Sequence, residues 1–150
     1  MDTIYGTALK YGDKGILLRG PSGSGKSDLA LRLIDRGAVL VSDDQVIITQ
    51  AESKLRMSAP DQLKGLLEVR GVGIVQVPCA ASQRLDLVVD LIPRDQVERL
   101  PEVSPNMPTE VICGVAFPKL ALYSFDHSTP IKIELVLAKK YTVLDIDFEG

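Results

Sequence analysis

Between Gly20 and Ser27 the chain reads Gly-Pro-Ser-Gly-Ser-Gly-Lys-Ser, which meets every fixed position of the pattern G-x-x-x-x-G-K-S/T. Such a stretch holds phosphate. Its glycines let the backbone wrap tightly enough for successive N–H groups to face one anion. Lys26 brings positive charge to the outer phosphates, and the Ser27 hydroxyl suits a Mg²⁺ shell. Gly20, Pro21, Ser22, Gly23, Ser24, Gly25, Lys26 and Ser27 are therefore the expected nucleotide-binding residues.

Binding alone transfers nothing. Phosphoryl chemistry also needs a metal partner and a group that positions or deprotonates the nucleophile. Asp43 and Asp44 follow the apolar run Val39-Leu40-Val41, and neighbouring residues on a strand point to opposite faces. One carboxylate can then face the metal and the other the substrate; a surface turn pair is the plainer alternative. Asp90 competes for the metal, because Leu85 to Asp90 is another apolar run ending in a carboxylate. Glu68 is a third candidate, set in an apolar run just before Gly71 and Gly73. Arg70 and Arg99 are candidates for neutralising charge on a transferring phosphoryl group. Surface ion pairing is the ordinary role of a lone arginine.

These residues need elements to hold them. Gly15-Ile-Leu-Leu-Arg19 reads as a buried strand feeding the phosphate loop. Ser27 to Arg36 reads as a helix leaving it, with Leu29, Ala30, Leu33 and Ile34 on one face. Its N-terminus, the positive end of the dipole, then points at the phosphates. Gly37 is a natural stop, and Val39 to Val41 supplies the second strand of a βαβ unit. Thr3 to Tyr11 is β-prone, while Gln45 to Gln50 and Lys54 to Ser58 read as a hairpin. Leu85 to Leu91, Val111 to Val115 and Lys119 to Tyr123 are further strand candidates, and Pro93 to Pro108 a loop. Ile131 to Lys140 alternates like a strand, yet Ser128-Thr129-Pro130 supplies a capping hydroxyl and a helix-starting proline, so a helix is expected. Residues 141–150 read as a loose tail.

The chain has 150 residues, which suits a single domain. Seventeen Lys and Arg against 20 Asp and Glu, with no basic block, argue against a nucleic-acid partner. The start lacks the pattern of a signal peptide, and no apolar run is long enough to span a bilayer; no membrane association and a cytoplasmic location are expected. Cys79 and Cys113 sit in apolar surroundings and are expected to be buried, reduced thiols. His127 is the one histidine, which excludes a His-based metal cluster or a triad built on several histidines.

Taken together, GPSGSGKSDLALRLIDRG, VLVSDDQV and LLEVRGVGIVQV resemble the C-terminal catalytic domain of the bacterial HPr kinase/phosphorylases, over about Thr3 to Lys140. The resemblance implies an α/β fold, a phosphate-loop domain with a mixed β-sheet like that of the phosphoenolpyruvate carboxykinases. It implies one catalytic domain over 1–150, assembled as a hexamer. The implied activity is that of a serine protein kinase using ATP and Mg²⁺ to phosphorylate HPr, the phosphocarrier protein of the sugar phosphotransferase system. By position, the resemblance makes Asp44 the base, puts Ser27 and Glu68 on Mg²⁺ and Lys26 on the phosphates. Leu67 to Gln76 becomes the catalytic segment, and Arg99 matches a later active-site arginine.

The chain departs from that family in three ways. Tyr5 stands where the family has a histidine, fifteen residues before Gly20; tyrosine is a poor proton shuttle near neutral pH. Tyr123 to Pro130 holds no arginine, where the family's reverse reaction uses an arginine- and proline-rich segment. Phosphorylase activity is thus expected to be weak or absent. The resemblance covers only the family's C-terminal domain, and a truncated, kinase-only form without the N-terminal domain is expected. Two other readings stay open. One is a kinase of a small metabolite, although the chain shows no arginine-rich lid. The other is an ATP-binding sensor without transfer, in which Tyr5 marks lost catalysis.

Overall fold

The computed structural model describes residues 2–102 and 107–138. Gly6 divides the β-prone run at the start into two strands, β1 (Asp2–Tyr5) and β2 (Thr7–Tyr11), which join different sheets. A Cβ at Gly6 would lie 2.7 Å from the carbonyl oxygen of Leu18, so a larger residue does not fit at this crossover. The chain turns at Gly12-Asp13 into β3 (Lys14–Arg19), passes through the phosphate loop and enters α1 (Lys26–Asp35). Asp28 in the first turn and Arg32 in the last complement the helix dipole. As expected, Gly37 ends the helix: at φ 108° its N–H reaches the Ile34 carbonyl oxygen.

Strands β4 (Val39–Ser42), β5 (Gln45–Ala51), β6 (Lys54–Ser58), β7 (Leu66–Val69), β8 (Gly73–Gln76), β9 (Ser82–Arg84) and β10 (Leu87–Leu91) follow. The hairpin β11 (Thr109–Ile112) and β12 (Val115–Leu122) leads to α2 (Thr129–Ala138). The helix expected from Ile131 to Lys140 is therefore present and starts earlier; residues 139–140 and the expected tail lie outside the described residues. Part of the expected 93–108 loop, residues 103–106, does so too.

A six-stranded sheet in the order β11-β12-β10-β3-β2-β4 forms the middle of the molecule. Strands β4, β3, β10 and β12 run one way, β2 and β11 the other. The fold is α/β with a mixed sheet. The βαβ unit needs one correction. β3 and β4 are parallel, but antiparallel β2 lies between them, because the tight turn at Gly12-Asp13 lets β2 take the edge of β3 first. On one face of this sheet Leu9, Ile16, Leu18, Leu87 and Val89 pack with Leu29 and Leu33 of α1 and Ile133 and Leu137 of α2. On the other, Ala8, Leu17 and Val88 meet Val46, Ile48, Leu55 and Met57 of a second, four-stranded sheet, β1-β5-β6-β9. Burial on both faces is why β3 and β10 read as unbroken apolar runs.

Both thiols are exposed, contrary to expectation. Cys79 bridges by its backbone to Leu40 at the edge of β4, and its side chain is exposed. Cys113 occupies the β11–β12 turn at φ 49° and lies 3.0 Å from the Asp2 carboxylate, which pushes its thiol pKa up.

Candidate active site

The four parallel strands of the central sheet open their C-terminal ends onto one edge, where open α/β sheets place ligands. The phosphate loop lies at this edge, after β3. Gly23 and Gly25 have φ of 83° and 94°, which glycine reaches without steric cost. Gly25 also opens α1 as its cap, with no side-chain capping bond, so the first N–H groups of the helix face the loop. Ser24 Oγ is buried with no hydrogen-bond partner among the described residues and packs against Gly20, where a Cβ would fall 2.5 Å from it. Lys26 Nζ donates to the carbonyl oxygens of Gly20 at 2.6 Å and Pro21 at 3.1 Å.

Ser27 Oγ lies 2.9 and 3.0 Å from the two carboxylate oxygens of Asp43. Asp43 is buried and also accepts from Thr7 Oγ1 at 2.8 Å. Asp44, the next residue, is exposed, and its carboxylate has no hydrogen-bond partner among the described residues. The sequence expected two adjacent carboxylates in opposite directions; in the structure Asp43 is buried and Asp44 exposed. The backbone kinks between them: Asp44 sits at φ 73°, and its carbonyl oxygen accepts the Gly6 N–H at 3.0 Å. Tyr5 pairs with Gln45 across β1 and β5 and is 73% exposed, so it stands beside Asp44 at the same edge.

Glu68 lies on β7 with its side chain exposed; its backbone N–H approaches Asp43 Oδ2 at 3.5 Å. Arg70 is exposed in the turn between β7 and β8. Arg99 is exposed in the irregular stretch after β10 and makes no ion pair with any described residue. The structure thus joins the phosphate loop, Ser27, Asp43 and the β7 backbone, with Asp44 alongside, and does not tie Arg99 to them. Asp90, the rival metal residue, is engaged otherwise: Arg19 grips it at 2.8 and 3.1 Å and reaches Glu110 at 3.0 Å. Thr7, which holds the inner carboxylate, escaped the sequence reading, because a lone threonine on a strand carries no signal of what it faces.

Ser27 and Asp43 are hard oxygen donors. They fit Mg²⁺, which takes one or two carboxylates and otherwise keeps water and phosphate oxygens. No cluster of three or more His, Cys, Asp or Glu able to hold a metal occurs among the described residues.

Residues 1–129 match the family model described as HPr Serine kinase C-terminal domain. The chain belongs to this family. The HPr kinase/phosphorylase of Variovorax paradoxus is 34% identical over 129 residues, 80% of this chain and 40% of that protein. That of Clostridium tetani is 49% identical over 75 residues, 50% of this chain and 25% of that protein. The chain therefore spans well under half the length of these curated relatives. The solved structure of the HPr(Ser) kinase/phosphatase from Coxiella burnetii matches with a TM-score of 0.80 and 28% identity, covering 93% of this chain and 90% of that one. The HPr kinase fold expected from the motifs is the one observed.

Proposed function

We propose that this HPr kinase-family domain transfers the γ-phosphoryl group of ATP to a serine of HPr. The observation that carries the reading is the division of labour between adjacent aspartates at the mouth of the phosphate loop. Asp43 is buried on Ser27 and Thr7, while Asp44 is exposed beside it.

The loop N–H groups and Lys26 hold the phosphates, and Ser27, Asp43 and Glu68 would hold Mg²⁺. When bound, the ion neutralises charge that develops on the outer phosphates. Asp44 accepts the proton of the serine hydroxyl as its oxygen bonds to the γ-phosphorus and the bond to ADP breaks. Arg70, in the turn after Glu68, is the cation at hand for the transferring group, with Arg99 joining on closure over substrate. Most of the rate enhancement comes from positioning and charge neutralisation. The chain acts as one catalytic domain in the cytoplasm, as a homo-hexamer, with little reverse phosphorylase activity.

The test is transfer of label from Mg-ATP to HPr of the same cell. Label on a serine of HPr, lost in Asp44→Asn while nucleotide binding is kept, is the expected result. Transfer that survives in Asp44→Asn removes Asp44 as the base. ATP binding without transfer to HPr favours a sensor, with exposed Tyr5 beside Asp44 as the reason; transfer to small hydroxyl compounds instead favours a metabolite kinase.

A further inference from the structure

The turn after β12 packs onto the phosphate loop from the flank away from the aspartates. Ser124 Oγ donates to the Ser24 carbonyl oxygen at 2.6 Å. A Cβ on Gly25 would fall 2.1 Å from that hydroxyl and 2.8 Å from the tip of the Phe125 ring. The turn is pinned several times over. Arg32 donates to the carbonyl oxygens of Ser124 and Asp126. Arg94, from the loop after β10, pairs with Asp126 at 2.7 Å and lies 4.7 Å over the Tyr123 ring. Tyr123 in turn meets Phe125 edge to face at 5.7 Å. A turn held by these polar bonds does not need a phenyl ring to shape it, yet Phe125 touches the phosphate loop and remains 48% exposed.

Topology says what that bare ring faces. From β3, the strand order leads one way to β4 and its aspartates, and the other way through β10 to β12. The γ-phosphate and the base are the two ends of a nucleoside triphosphate. With the γ end turned to Asp44, the base end is directed to the β10–β12 flank, where an aromatic face and a guanidinium are the groups on which bases stack. We propose that Phe125 is the platform for the nucleotide base, with Tyr123 and Arg94 holding it in place. The inference rests on the nucleotide reading of the phosphate loop.

The experiment compares affinity for Mg-ATP and Mg-tripolyphosphate, which lacks the base, in the unaltered chain, Phe125→Ala and Phe125→Trp. Phe125→Ala is expected to bind ATP roughly tenfold more weakly, with tripolyphosphate binding unchanged. Phe125→Trp is expected to keep the preference for ATP. Since the chain has no other tryptophan, its emission is expected to change with ATP and not with tripolyphosphate. Equal losses for both ligands in Phe125→Ala would overturn the platform, showing the ring to be a prop for the loop. An unchanged ratio of the two affinities would overturn it as well. If the unaltered chain binds neither ligand, the phosphate-loop reading itself falls and takes the platform with it.

Discussion

At the scale of single residues, backbone strain falls on Asp44, the residue proposed as the base. Asp44 holds a left-handed backbone at φ 73°, which costs an L-residue energy that glycine avoids. Nothing among the described residues repays that cost through its carboxylate, whereas its neighbour Asp43 accepts from two hydroxyls. Under the proposed function the free Asp44 carboxylate is the base. Asp44→Gly is therefore expected to raise stability by up to about 1 kcal/mol while abolishing phosphoryl transfer. A urea midpoint that rises at unchanged slope, together with lost transfer, bears this out. A fall in the midpoint would mean that the Asp44 side chain supports the fold after all.

At the scale of elements, close approach of backbones decides what is tolerated. β3 reaches β9 so tightly at Gly15 that a Cβ there would lie 1.8 Å from the Arg84 carbonyl oxygen, and the Gly15 N–H donates to buried Asp86 at 2.9 Å. Gly15→Ala must push the two sheets apart, so a loss of about 2–3 kcal/mol is expected in denaturant unfolding, at the upper end for overpacking. A loss below 0.5 kcal/mol would show that this contact yields easily. In the sequence Gly15 reads only as the start of an apolar strand; its neighbour lies some seventy positions away, and one chain does not announce such a pairing. By contrast, α1 was legible because its apolar spacing, its start at the phosphate loop and Gly37 all agree. The hairpin of β5 and β6 was legible because its pairing is local. The strand order was not, since β2 inserts between β3 and β4 by a hairpin closure that leaves the motif between them unchanged. Asp43 and Asp44 were legible as a pair, but their separate environments follow from Thr7 and Gly6, distant in sequence.

At the scale of the whole molecule, two carboxylates outside the site have pKa values shifted in opposite directions. Asp86 is buried between the two sheets, which raises its pKa; the Gly15 N–H and the charges of Arg84 and Lys14 work against that rise, and Asp13 adds to it. A raised carboxyl pKa means the folded state binds more proton than the unfolded one. Stability from Asp86 is then greatest below the ordinary carboxylate range and falls as pH climbs to its raised value. Glu110 is the reverse. Its hydrogen bond and charge pairing with Arg19, helped by Lys119, lower its pKa, so its contribution is present above the ordinary range and is lost as pH falls through the lowered value. Asp86→Asn keeps an acceptor for the Gly15 N–H, and Glu110→Gln keeps a hydrogen-bonding group for Arg19, while neither titrates. Urea unfolding across the acidic range is expected to show the parent losing ground to Asp86→Asn as pH rises, and losing ground to Glu110→Gln as pH falls. Parallel profiles for parent and variant would remove the corresponding group from the pH response. The two trends depend on different layers of the fold, Asp86 where the sheets meet and Glu110 on the outer strand of the central sheet, so either can fail without the other.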